Sequence, residues 1–384
     1  MTKVNFLVVF AVALASAAIF LFPAAAYDPT AASSGDVRVS PGATPPYLVF
    51  ACDGSTSDLE STFAQPGVID DLKSLHAGVA LDVSDMSADR ARLVHRLNLA
   101  GIPVSAWLTL PNAQGHYLNS SNAPEAAAQF AEFEKWTAAY SLRWTDVGLD
   151  IEPSIQDFGA VKQGSKWKLI STLAARYFDA ARVRRATIAY SALIRAIQSH
   201  GYRVLTYQFP FIADARAVHS TLLERLAGIL DLKSDQEVLM TYSSFNHKLD
   251  SSVIWVYGPS AQAIAVGSTM GSDSDPHFVP LNWDEFSRDV KVANHFSHTV
   301  GVYNLAGCIR QGFLSRLKTV NWSEPVTIPA ESVRKAMQFR SRVQRVLWIA
   351  SHLLYFIAAI LIAVAWIFAA WLRRRRLRQT SAPQ

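Results

Sequence analysis

Between residues 47 and 325, eight apolar runs of strand length alternate with stretches of helical periodicity. The runs lie at 47–52, 78–83, 103–110, 147–152, 202–209, 237–242, 263–269 and 298–305. Strands covered on both faces need no polar alternation, so such runs read as parallel strands under a layer of helices. The helical stretches include Asp89–Leu99, Pro124–Tyr140, Ala174–His200, His219–Leu230, Trp283–Phe296 and Cys308–Val320; the sixth, near Ser251–Tyr257, has the poorest pattern. Eight such units in about 275 residues match the count and size of an α/β (β/α)8 TIM barrel over residues 47–325. A doubly wound open sheet is the alternative, but it would lack the GxGxxG turn of dinucleotide binders.

The flanks point to a membrane. Residues 4–22 are an apolar run behind Lys3, and Ala24-Ala25-Ala26 resembles a cleavage site, so residues 1–26 read as a signal peptide or signal anchor. Residues 27–46 are rich in Pro, Gly, Ser and Ala and read as a flexible linker. Residues 326–345 form a basic juxtamembrane segment, 346–372 a charge-free transmembrane helix, and 373–384 a basic tail. Five basic residues lie on each side of that span, so the amino-terminal export signal decides the orientation: barrel outside, tail in the cytoplasm. The formal charge of +5 is an effect of the tail. Residues 331–384 carry ten Lys/Arg against Glu331, leaving −4 for the other 330 residues, so nucleic acid is not an expected partner.

The fourth run ends Leu149-Asp150-Ile151-Glu152-Pro153. Alternation puts Asp150 and Glu152 on one face and the aliphatics on the other, and Pro153 stops the strand at the C-terminal mouth, where barrel active sites sit. Two buried carboxylates repel, which favours one of them keeping its proton as a general acid. Other strand ends offer Asp53, Asp82, Asp85, Trp107, Thr109, Tyr207 or Gln208, Tyr242, Asp273, Asp275, Tyr303 and Asn304. Carboxylates, amides and aromatic rings together suit sugars, whose hydroxyls take hydrogen bonds and whose faces stack. Asp53, Asp82, Trp107, Gln208, Tyr303 and Asn304 are the expected substrate-binding residues. Asp82 and Asp85 have a second reading as helix caps, and Trp107 as wall packing.

LDIE on the fourth strand and Met240-Thr241-Tyr242 on the sixth resemble the family 18 glycoside hydrolases, the chitinase-like TIM barrels. That likeness implies Glu152 as general acid, Asp150 as its partner, and Tyr242 as the hydroxyl that helps hold an acetamido group. The sequence differs from the family pattern at Gly148 and Ser243, where aspartates are expected. It also lacks the Trp of strand eight and the Ser-x-Gly-Gly of strand three.

These features give the expectation of a membrane-anchored, extracytoplasmic glycoside hydrolase that cleaves a polysaccharide or peptidoglycan-type glycan without a cofactor or metal. The alternative is a non-catalytic carbohydrate-binding barrel at the cell surface. A metal-dependent deacetylase or phosphodiesterase would need His/Asp clusters, and the ten His are scattered. The two cysteines, Cys52 after strand one and Cys308 after strand eight, could staple the barrel seam or stay as buried thiols.

Overall fold

The computed structural model describes residues 35–153, 166–271 and 278–380. The signal-like segment 1–26 and the acids Asp273 and Asp275 lie outside them. Eight parallel strands close a barrel in sequence order: β2 (Tyr47–Cys52), β3 (Gly78–Asp82), β4 (Val104–Leu108), β5 (Asp146–Asp150), β6 (Arg203–Gln208), β7 (Gln236–Met240), β8 (Ala263–Gly267) and β9 (Thr299–Tyr303). Closure comes from β2 against β9, with Tyr47 opposite Thr299 and Phe50 opposite Val302. Outward residues such as Phe50, Leu81, Leu149 and Ile264 are fully buried under the helices. Inside, the small residues Ala51, Ala80, Ala265 and Gly301 leave room for Trp107, Tyr207, Met240, Tyr242 and Tyr303. Packing of that kind fills a barrel of this size with side chains and leaves no pore.

The helices are α1 (Thr56–Ala64), α2 (Val68–Ser74), α3 (Ala88–Ala100), α4 (Ala123–Tyr140), α5 (Lys166–Phe178), α6 (Ala180–Ser199), α7 (Phe211–Ala217), α8 (Ser252–Tyr257), α9 (Trp283–Phe296), α10 (Leu305–Arg310), α11 (Phe313–Leu317), α12 (Ala330–Ser351) and α13 (Leu353–Thr380). The periodicity over Ala174–His200 hides a break: Asp179 accepts from the Arg182 backbone N–H and starts a new helix there. His219–Leu230 is not α-helical but holds one π turn, Leu223–Ala227. Cys308–Val320 divides at Gly312, which takes the left-handed conformation that costs glycine nothing (φ 70°).

Two flanking segments depart from expectation. Part of the linker is pinned to the barrel: β1 (Val37–Val39) pairs antiparallel with β10 (Val326–Ile328), and Val39 is buried. Thr44 and Ser40 then offer their carbonyls to Asn294 and His295. Short β-branched segments with a pairing partner override the Gly/Pro/Ser composition around them. The charge-free run 346–372 also divides. Leu347 is buried against the barrel, and the wholly exposed apolar helix begins at Leu353. Leu353–Arg373 has mean hydropathy 2.7 and is long and apolar enough to cross a membrane.

Candidate active site at the barrel mouth

The ladder of β5 runs on past its last residue. Ile151 N–H donates to Tyr207 O (3.1 Å), Glu152 N–H to Leu118 O (3.1 Å), and Leu118 N–H to Asp150 O (2.9 Å). Backbone held extended on both sides keeps the alternation, so Glu152 stays on the face of Asp150. Asp150 lines a cavity with Trp107, Tyr207, Tyr242 and Tyr303. Both acids are buried, at 1% and 0% exposure. Tyr242 stacks on Tyr303 with ring centroids 5.7 Å apart, and Trp107 lies 6.5 Å from Tyr207. The cavity volume of ≈ 50 Å³ holds a few waters at about 10–15 Å³ each. A cavity of that size is too small to enclose a sugar ring.

The remaining expected residues divide. Asp53 accepts from Tyr303 Oη (2.7 Å) and Asn304 Nδ2 (2.9 Å), which ties the ends of the first and last barrel strands together. Asn304 also caps α10 through its Oδ1 (3.0 Å from Gly307 N), so both ends of its amide are engaged. Asp82 accepts from Thr109 Oγ1 and from Ser84 N (2.8 Å) and Oγ (3.1 Å). Asp85 accepts from Thr56 Oγ1 and from the Ser87 N–H (2.9 Å), with Arg90 3.9 Å away. Gln208 is not among the residues that line the cavity; its Nε2 donates to Leu230 O (2.8 Å) in the segment before β7. Strand parity gives the inward place to Tyr207, so Gln208 is corrected to a structural role.

Tyr207 also leaves no room for a side chain at position 148. A Cβ at Gly148 would lie 2.6 Å from Tyr207 Cε2, so the ring occupies the space an acidic side chain would need. Burial, and after it the charges of Asp146 and Asp150, push the Tyr207 hydroxyl well above its usual range, which keeps it a neutral donor. The staple across the seam is likewise absent: Cys52 and Cys308 are free, buried thiols. Cys308 Sγ donates to Thr269 Oγ1 and Cys52 Sγ to Phe50 O, both at 3.6 Å. Burial lifts Cys52 and pushes Cys308 up to about 12, so neither is a nucleophile. Among the described residues, no three His, Cys, Asp or Glu side chains group as a metal site.

Two supporting residues gave no signal in the sequence. Arg90, on α3, is 1% exposed and joins Thr56 Oγ1, Asp82 O and Gly54 O, each at 2.9 Å, so it fastens the mouth of β2 to that of β3. Asp289, on α9, accepts from Ser243 Oγ directly behind Tyr242. Burial outweighs the Ser243 and Ser251 hydroxyls and raises the Asp289 pKa from 3.8 to about 7. A folded pKa above the unfolded one gives stability that is complete below about 4 and lost as pH rises through about 7. A rise of that size amounts to at most about 4 kcal/mol. Asp289→Asn should flatten this slope in denaturant titrations between pH 4 and 8 and stabilise the protein most at the alkaline end. A variant whose pH profile parallels that of the parent would remove Asp289 as its source.

Fold and site together define a (β/α)8 barrel with paired buried acids at its C-terminal mouth. No family model and no curated protein matches the sequence. Solved structures resemble the chain at low identity and low TM-score. The PgaB (BpsB) glycoside hydrolase domain from Bordetella bronchiseptica is 11% identical, covering 72% of this chain and 98% of its own, with a TM-score of 0.42. Saccharomyces cerevisiae Gas2p in complex with laminaritetraose and laminaripentaose is 13% identical, covering 78% and 67%, at 0.36. D-Psicose 3-epimerase from Clostridium cellulolyticum is 10% identical, covering 78% and 99%, at 0.37. Likenesses this distant, spread over unrelated chemistries, carry no inference about the reaction.

Proposed function

We propose that this protein is a membrane-anchored, extracytoplasmic glycoside hydrolase acting on a polysaccharide or peptidoglycan-type glycan. The observation that carries the reading is the pair of buried acids at and just past the C-terminal end of β5, Asp150 on the cavity shared with Tyr242 and Glu152 two residues further along the same extended backbone. Glu152 protonates the leaving oxygen. Asp150 and Tyr242 position the group that attacks the anomeric carbon, which in an N-acetyl sugar is the acetamido oxygen of the substrate itself. Release of reducing ends from a glycan panel by the parent, lost in Glu152→Gln, tests this.

A second reading, a non-catalytic carbohydrate-binding barrel, is favoured by one specific observation. Asp53, Asp82 and Asp85, the available second carboxylates, are all held by hydrogen bonds from neighbouring side chains or backbone. A parent that binds glycans and cleaves none would select it. The proposed topology places α13 across the bilayer with its arginine end in the cytoplasm. A reporter fused after Gln384 that fluoresces only in the cytoplasm should be bright; a dark fusion there, together with a bright one in the linker, would reverse the orientation.

A further inference from the structure

Helix α12 is not a tether. Its first N–H, at Ala330, bonds Asp36 Oδ1 (3.0 Å) beside the β1–β10 ribbon, at the end of the barrel where the strands begin. At about 1.5 Å per residue, 22 residues span roughly 33 Å, enough to climb the whole barrel wall. On the way, Arg340 Nε (2.8 Å) and Gln344 Nε2 (2.9 Å) donate to one oxygen of the fully buried Asp214, and Tyr257 Oη (2.5 Å) donates to the other. Val343 and Leu347 pack on Ala215, Leu222 and Leu223. The helix ends with Ala350 O accepting from Tyr177 Oη (2.8 Å) and Ser351 Oγ 2.7 Å from Ser220 Oγ. Tyr177 O accepts from Arg225, and Arg182 joins Arg225 O to Ser121 Oγ (3.2 Å), three residues past Leu118, which pairs with Ile151 at the mouth; α12 therefore finishes at the mouth. Helical bonds flank the junction, His352 N to Trp348 O and Phe356 N to His352 O, both 3.2 Å, so α13 follows without a loop.

We infer that the bilayer surface lies against the mouth end of the barrel, with the Tyr177–Phe178 end of α5 seated in the headgroup layer. The site would then act on a glycan presented at the membrane surface. This rests on α13 as the span and, for the substrate, on the glycosidase reading. Phe178 is 67% exposed one residue past the contact with α12. The Arg225 guanidinium lies 5.1 Å over the Tyr177 ring and donates to Tyr177 O (2.8 Å), and Arg176 donates to Leu226 O (3.3 Å). Aromatic rings and arginines beside the start of an apolar span are the composition of a membrane interface.

The test uses full-length protein in vesicles doped with a headgroup-nitroxide lipid, carrying bimane at Phe178→Cys or Leu99→Cys. Both positions are exposed, and Leu99 sits at the opposite end of the barrel on the last turn of α3. Cys52 and Cys308 are buried and stay unlabelled. Quenching several-fold stronger at 178 than at 99 supports the inference. Equal or reversed quenching in protein that resists carbonate extraction overturns it, whatever the glycan assay gives. Release by carbonate overturns it together with the span.

Discussion

Replacing Glu152 by Gln should lower glycan turnover by about 10²–10⁴ while glycan binding survives. The amide keeps the volume and the hydrogen-bonding shape of the acid but has no proton to transfer. Because Glu152 is fully buried and the amide has nearly the same size and shape, the change adds no exposed surface, so folding should be kept. Asp150→Asn should slow turnover less, since its proposed part is positioning. Reducing-end release measured beside oligosaccharide binding separates these outcomes. Unchanged turnover in Glu152→Gln, on any glycan the parent cleaves, would end the assignment.

The second large effect concerns the docked helix. Arg340→Ala leaves the Asp214 carboxylate, 0% exposed, with only Tyr257 and Gln344. Orphaning one member of a buried pair costs about 3–5 kcal/mol; Arg340 keeps about a fifth of its side chain exposed, which lowers the expectation to about 2–4. Burial already raises the Asp214 pKa, against the bonds from Tyr257, Arg340 and Gln344. Losing the cation raises it further, so the penalty should be small in acid and grow as pH rises. Arg345→Ala, on the exposed side of the same helix, should stay within about 0.5 kcal/mol. Denaturant titrations of detergent-solubilised protein compare the two. If Arg340→Ala costs no more than Arg345→Ala, the helix is not clamped through Asp214.

Much of the barrel was legible because burial on both faces leaves an unmistakable run of aliphatics at each strand. All eight runs became strands, most trimmed by a residue or two where the ladder frays. Parity also placed Asp150 and Tyr242 at the cavity, since a pleated strand offers only two faces. Where two neighbours competed, as with Tyr207 and Gln208, composition had no vote. The deciding fact was the gap opposite, at Gly148, on another strand.

Long-range partners were invisible for a different reason. Arg340 looks like Arg342 in the sequence, and nothing marks it as the one that meets Asp214, 126 residues earlier. A helix with a basic face reads the same whether that face meets lipid headgroups or a buried carboxylate. Asp289 and Arg90 are alike in this respect: each is a charge on an amphipathic helix, turned inward by a partner on another unit. Asp53 is a further case: its acceptance from the Tyr303 hydroxyl and the Asn304 amide joins opposite ends of the sequence, and nothing in the sequence marks those partners.

On the glycosidase reading, a glycosidic oxygen has to reach the carboxyl of Glu152, which is buried, so the mouth has to admit the sugar to it. The most direct measurement is the structure of Glu152→Gln with a bound oligosaccharide. The glycosidase reading predicts the side-chain amide of residue 152 within about 2.6–3.2 Å of a glycosidic oxygen, with Tyr242 and Asp150 on the far side of the sugar ring. An oligosaccharide bound elsewhere on the barrel, with residue 152 still enclosed, would contradict it.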